Sequence, residues 1–359
     1  MLKKAAAMLL VCAGMATWLS CGKTSNGYVY ATIPEPSQIV IYREDPASGV
    51  LTALPGSPFA GGPGVIAIAV HPSKQFLYTA NSGQSDISLY DIASDGTLDE
   101  VTPRTSVVGT PLFLVMDTTG AYLYVGCDGP SSVTAFSIAS GGALTQVGEP
   151  YQIGTAPLGM AITPGGGFLY ITGTSSSPAQ PGIVQAFSLS AGTLTPVAGS
   201  PFTTGRTPEG MAITPDGSFL YIANFGDNTI SEFQIGTTGA LSGLPESPVG
   251  ETYLGPTFLL VDNTGSYLYV ANKGSGNVAA YSISSGGTIQ VLPNSPFGNG
   301  GNPGVLAIDP SGNFLFTGTQ GGSLWVQSFT LSTSTGTLVE VGNYPVGTNG
   351  GPTSLAVVH

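Results

Sequence analysis

Charge is what this sequence of 359 residues has least of. Only 8% of its residues are Asp, Glu, Lys or Arg, and acids outnumber cations by 20 to 8. From Tyr28 onward the cations are Arg43, Lys74, Arg104, Arg206 and Lys273. No basic stripe can form, and the formal net charge is −12. Such a deficit excludes nucleic acid and anionic lipid surfaces as partners. Histidine occurs only as His71 and His359, and cysteine only as Cys12, Cys21 and Cys127. No Cys or His cluster has metal-ligand spacing, so no metal is expected. A nucleophile elbow, a calcium loop of alternating acids and a Walker loop are also missing, and no cofactor is expected. Gly-rich runs such as Gly61-Gly62-Pro63-Gly64 precede strand patterns rather than helices, so they are not phosphate cradles.

Long apolar runs are equally scarce. Ala5–Leu19, behind the cationic Met1-Leu2-Lys3-Lys4, is too short for a stable membrane span and reads as an export signal over residues 1–20. Its end, Leu19-Ser20-Cys21-Gly22, resembles the lipobox of bacterial lipoproteins, which implies lipidation of Cys21. Removing residues 1–20 deletes Lys3 and Lys4 and no acid, so the net charge moves from −12 to −14. Cys127 is then the one thiol left, and no intrachain disulfide can form. A polar linker, residues 21–27, precedes the folded part.

What the chain does have is a repeat. An aromatic anchor recurs at Tyr30, Tyr78, Tyr124, Tyr170, Tyr221, Tyr269 and Phe316, spaced 46 to 51 residues apart. Around it the pattern reads strand, tight turn, strand, as in Thr207-Pro208-Glu209-Gly210-Met211-Ala212-Ile213 followed by Phe219-Leu220-Tyr221-Ile222-Ala223-Asn224. A period of this size with four short strands per unit predicts an all-β, seven-bladed β-propeller with antiparallel blades over residues 28–359. Inner strands begin after Pro63, Pro111, Pro157, Pro208, Pro256, Pro303 and Pro352, and third strands contain Tyr42, Tyr90, Phe136, Phe187, Phe233, Tyr281 and Phe329. The chain enters its first blade one strand late, at Tyr28, and ends on an unpaired inner-strand pattern. Residues 353–358 are therefore expected to complete the first blade and close the ring.

The inner-strand motif, Phe-Leu-Tyr-x-Ala-Asn, Gly-Thr-Leu and Ser-Pro-Phe together resemble the lactonase-type seven-bladed propellers. That family includes 6-phosphogluconolactonase-like proteins and a muconate cycloisomerase, and the repeats also resemble the YVTN type of bacterial surface propellers. The resemblance covers essentially residues 28–359. It implies a lactone hydrolase or cycloisomerase. The cycloisomerase relatives employ a His with Arg and a carboxylate, whereas both histidines of this chain fall on the face opposite the expected mouth.

Strand direction puts the second-to-third and blade-to-blade loops on one face, here called the top, whose axial mouth is the default ligand site. Arg206, Glu209, Glu251 and Lys273 come from the neighbouring blades 5 and 6. They are the catalytic candidates, with cations for an oxyanion and a carboxylate as base. A Glu among them qualifies as a base if burial raises its pKa towards neutrality. Arg104, Asp128 and Asp227 are further top-face candidates for ligand binding. Two functions follow. The first is a non-catalytic, lipid-anchored binding module of the cell envelope, a monomer taking a small molecule or a protein at the mouth and touching membrane only through its anchor. The second is a lactone hydrolase or cycloisomerase acting on a carbohydrate or aromatic lactone, with a phosphorylated sugar lactone the least expected substrate.

Overall fold

A computed structural model describes residues 27–175, 179–250, 253–298, 301–322, 325–347 and 350–359. Cys21, the signal and most of the linker lie outside the described residues. Among the described residues there are seven separate antiparallel sheets and no helix. Each sheet is one blade. Blade 5 is representative, with strands Pro208–Ile213, Phe219–Asn224, Thr229–Ile235 and Leu241–Gly243 in that order from the axis outwards.

The ring closes as the sequence predicts. Ser354–Val358 pairs with Gly27–Ile33, placing Val358 opposite Tyr28, Ala356 opposite Tyr30 and Ser354 opposite Thr32. The hydroxyls of Thr32 and Thr353 meet at 3.1 Å beside this register. Closure buries the edge that the first blade would otherwise present.

The repeated residues explain how blades join. All seven aromatic anchors are fully buried. Five of the six tyrosines donate their hydroxyl to a glycine main-chain oxygen 64 to 69 residues further on, in the next blade. Tyr30 reaches Gly96 at 3.0 Å, Tyr78 reaches Gly142 at 2.7 Å, and Tyr221 reaches Gly287 at 2.6 Å. Tyr170 and Tyr269 make the same bond to Gly239 and Gly336. Phe316 has no hydroxyl, and at its seam Ser328 donates to the Gly49 oxygen at 2.7 Å instead. The accepting glycine is needed twice over. Gly287 has φ of 84°, and a Cβ there would come within 2.2 Å of the Phe219 ring of the preceding blade. Only glycine satisfies both demands.

The Ser-Pro motif also has a physical reason. Proline cannot donate to a ladder; at the Ser-Pro dipeptide the outer strand is interrupted, whereas Pro103 and Pro150 sit at register shifts within continuous outer strands. In blades 1, 4 and 5 a second, two-residue piece resumes the pairing, as at Phe59–Ala60. The serine hydroxyl fills the gap by accepting from the third strand: Ile41 N to Ser57 Oγ at 2.9 Å, Ala186 N to Ser200 Oγ at 2.9 Å, Glu232 N to Ser247 Oγ at 2.8 Å. Blades 2, 3 and 7 lack the dipeptide and keep long outer strands, Leu98–Ser106, Leu144–Gln152 and Leu338–Pro345.

Near the axis the inner strands crowd one another. A Cβ on Gly159 would stand 2.4 Å from the Glu209 main-chain oxygen, and one on Gly210 would stand 2.6 Å from that of Thr257. Thr172 of blade 4 donates its hydroxyl to the same Glu209 oxygen at 2.9 Å. This packing fixes the backbone that carries Glu209.

Candidate functional site

The residue after each inner-strand proline occupies one ring position at the top of the axis. It is Gly64, Leu112, Leu158, Glu209, Thr257, Gly304 and Thr353 around the ring. Glu209 is the one member that ionises. It is half-buried, and burial pushes its carboxyl up to about 7, against the pull of Lys273. No hydrogen bond reaches that carboxylate from the described residues. A carboxyl group poised near neutrality can exchange a proton at physiological pH.

Lys273 follows the second strand of blade 6. Its ammonium donates to Gln320 Oε1 of blade 7 at 2.9 Å, and Gln320 Nε2 donates to the Pro352 oxygen at 3.1 Å. The cation is thus held by Gln320 while its charge acts on Glu209 without an ion-pair contact. Gln320 was not among the sequence candidates. Lys273 and Gln320 stand four residues after their blades' aromatic anchors, Tyr269 and Phe316, so reading that repeat position across blades would have found it.

The remaining candidates lie elsewhere. Arg206 is exposed and engaged by Asp227: Nε meets Asp227 Oδ1 at 2.5 Å, and its main-chain N–H meets Oδ2 at 2.6 Å. These bonds, the main-chain one first, hold the Asp227 carboxyl below its usual range. Arg206 also donates to the Gly226 oxygen at 2.9 Å, so its charge is paired and two of its five N–H donors are engaged. Arg104 sits within the outer strand Leu98–Ser106, not in a blade-to-blade loop, because that strand runs on unbroken in blade 2. There it pairs with Glu100 at 2.6 Å and with Asp86 at 4.0 Å. Asp128 ends a second strand, exposed, and accepts from Gly129 N at 2.6 Å. Glu251 lies outside the described residues.

The buried Cys127 thiol is pushed up to about 12 by burial and is inert as a nucleophile. His71 bridges blades on the opposite face, with Nε2 at 3.0 Å from the Gly120 oxygen and Nδ1 at 2.8 Å from Ser73 Oγ. A cavity of about 590 Å³ also opens on that face, lined by Thr214, Pro215, Asp216, Phe219 and Thr264. Its carboxylate, Asp216, accepts from Thr214 and Ser218 on Oδ1, and against burial these bonds hold it below its usual range, away from proton exchange near neutrality. The mouth is the better site because its carboxyl is unbonded.

Comparison with known proteins agrees with the seven-bladed fold. The family model described as "Lactonase, 7-bladed beta-propeller" matches residues 3–111, 182–292 and 255–356, well over half of the chain. The chain belongs to this family. No curated protein sequence matches it significantly. Among solved structures, this lactonase-family propeller is similar to a putative 6-phosphogluconolactonase from Bacteroides fragilis. The TM-score there is 0.80 at 19% identity, over 94% of this chain and 99% of the other. A protein from Lactobacillus plantarum gives 0.79 at 18% identity, over 93% and 99%. A periplasmic gluconolactonase from Pseudomonas aeruginosa gives 0.72 at 19% identity, over 93% and 99%. At such identities the likeness concerns the fold.

Proposed function

We propose that the axial mouth hydrolyses a lactone that carries no phosphate, with Glu209 as general base and Lys273 as the charge facing the developing oxyanion. The observation that carries this reading is the Glu209 carboxyl itself: unbonded, half-buried and poised near 7. In the forward step the Glu209 carboxylate takes a proton as water bonds to the lactone carbonyl carbon. The carbonyl oxygen becomes an oxyanion, stabilised by Lys273, which Gln320 holds in place. The oxyanion then collapses, the ring C–O bond breaks, and Glu209 returns its proton to the departing alkoxide. The product is a hydroxy acid.

Family membership supports lactone chemistry, and two structural neighbours bear gluconolactonase names. A phosphorylated substrate fits less well. A phosphate calls for several cationic or N–H donors, and Arg206 is already taken by Asp227. The export signal and the Cys21 motif support a lipid-anchored location outside the cytoplasm, where phosphorylated sugar lactones are not expected. On that reading Cys21→Ser releases the protein from membranes; a variant still processed and membrane-bound removes the anchor.

The test is turnover on a panel of unphosphorylated aldonolactones and aromatic lactones. The rate should rise with pH through about 7 as Glu209 ionises. Glu209→Gln should lower kcat by roughly 10²–10⁴, and Lys273→Met by roughly 10²–10³. A second reading, the non-catalytic binding module, is favoured because no side chain among the described residues hydrogen-bonds Glu209. Saturable binding at the mouth with no turnover above the spontaneous rate would establish it instead.

A further inference from the structure

We propose that Glu44, Asp309 and His359 form a binding site for one divalent first-row transition ion, such as Zn²⁺ or Mn²⁺, on the seam where the ring closes. The three residues come from three segments on the face opposite the mouth. Glu44 ends the third strand of blade 1, Gln38–Glu44; Asp309 follows the inner strand of blade 7, Gly301–Ile308; His359 follows the closing strand. One donor atom from each lies within 4.8 Å of the other two. Ligands bound at ~2.0–2.2 Å around such an ion stand roughly 3–4 Å apart, so small side-chain shifts complete the set. Two carboxylate oxygens and an imidazole nitrogen suit borderline first-row cations.

A carboxylate is out of place at Glu44 unless something balances it. The same strand position in the other six blades is aliphatic: Ile92, Ile138, Leu189, Ile235, Ile283 and Leu331. Glu44 and Asp309 are both fully buried. His359 contacts Glu44 Oε2 through Nε2 at 2.8 Å, but Glu44 Oε1 is buried with no partner. His359 can offset at most one of the two buried carboxyl groups, and no Lys or Arg ion-pairs with either among the described residues. A buried carboxylate without a counter-charge is strongly disfavoured, and a divalent cation would supply that counter-charge to both.

The surroundings are also shaped for it. Asp309 is oriented by Phe314 N at 2.7 Å on Oδ1 and by Ser311 on Oδ2, which leaves an Oδ1 lone pair. Asp262 caps the equivalent turn of blade 6 in the same way, so Glu44 and His359 are what sets this seam apart. Lys74 of blade 2 holds the His359 main-chain oxygen. Gly27 keeps the space open: a Cβ there would stand 2.5 Å from His359 Nε2 and 2.7 Å from Glu44 Oε2. The His359 side chain is 16% exposed and gives an ion its way in. On binding, Nε2 gives up its proton, and Glu44 Oε2 changes from hydrogen-bond acceptor to ligand. If the imidazole enters as the cation, one proton is released.

The experiment uses the whole protein, stripped with a chelator and titrated with Zn²⁺, Mn²⁺ or Mg²⁺. We expect one bound Zn²⁺ or Mn²⁺ per chain by elemental analysis and a melting temperature that climbs with ion concentration, while Mg²⁺ does little. Glu44→Gln and His359→Gln should melt cooperatively without metal and lose the ion-dependent shift. Co²⁺ bound to the unmutated protein should show visible absorption that one equivalent of Zn²⁺ displaces, so the result does not depend on the variants folding. Absence of stoichiometric binding and of any shift would overturn the site, leaving a plain His–Glu pair. A shift that persists in both variants, or one given equally by Mg²⁺, would overturn it too.

Discussion

The seams between blades and the mouth at the axis are built from one repeat, yet they treat it oppositely. At the seams the repeat is kept. A glycine of positive φ meets an aromatic ring of the preceding blade at each of them, as at Gly96 on Tyr28, Gly239 on Phe168 and Gly336 on Tyr267. At the mouth the repeat is broken. The ring position of Glu209 holds Gly, Leu or Thr in the other blades, and the position of Lys273 and Gln320 holds Pro34, Ser82, Asp128, Thr174 and Phe225. Seams must satisfy the same geometry seven times, so one solution recurs. The mouth is assembled once, so each blade can offer a different side chain. Regularity marks what closes the ring, and departure from it marks where chemistry can sit.

The comparison breaks most severely at the closing seam. Truncation after Gly351 removes Ser354–Val358 and with it the buried Leu355 and Val358. The Gly27–Ile33 edge is then bare, and we expect aggregation or loss of a cooperative melt. A truncated chain that melts like the full one would show that the strand is dispensable. A smaller break is Gly287→Ala, which combines an unfavourable φ with a clash against Phe219. It should cost roughly 2–4 kcal/mol by denaturant unfolding. The same change at Gly250, where an added Cβ meets nothing within 4 Å, should cost far less.

The seams were legible in the sequence for this reason. Blade number, strand order and the closing strand all follow from spacings that recur, and recurrence can be read without coordinates. The Ser-Pro-Phe motif was legible only as a loop. That its serine replaces a lost ladder bond depends on which N–H lies opposite. The candidate site was legible in part. Glu209 and Lys273 were singled out by the scarcity of charge, and proximity in sequence grouped Arg206 with them. Pairing to Asp227 takes Arg206 out of that group, and a hydrogen bond between loops leaves no trace in composition. Arg104 was assigned to a loop because an outer strand as long as Leu98–Ser106 is not the rule in this repeat. Glu44 escaped notice because a buried acid and a solvated one look alike until a strand position is compared across all blades.

At the mouth the same contrast appears as a pH effect. The folded-state pKa of Glu209, about 7, lies above that of an unfolded glutamate. The protonated carboxyl is the favoured form in the fold. Stability from this group is therefore complete below about pH 4.5 and is lost as pH rises through 7. Glu209→Gln should melt like the parent at pH 4.5 and be more stable at pH 8, by on the order of 1–3 kcal/mol. A variant less stable than the parent at pH 8 would mean that the ionised carboxylate is held by partners, and the site as described would be wrong.

The smallest effect should come from Arg206→Ala, and its smallness is informative. Arg206 and Glu209 are three residues apart on the top face, and both were candidates for the same chemistry. One is exposed with a paired charge; the other is half-buried with an unbonded one. An exposed ion pair contributes ~0.2–1 kcal/mol, so the melt should hardly move. Turnover, if the mouth hydrolyses lactones, should stay within a few-fold of the parent, because the Arg206 charge is paired with Asp227 and held by Gly226. Glu209→Gln in the same assay should remove most of the rate. If instead Arg206→Ala loses as much activity as Glu209→Gln, the Arg206–Asp227 pair must open when substrate binds. The mouth would then extend across the blade 5 loop, and its preference for substrates without phosphate would have to be given up.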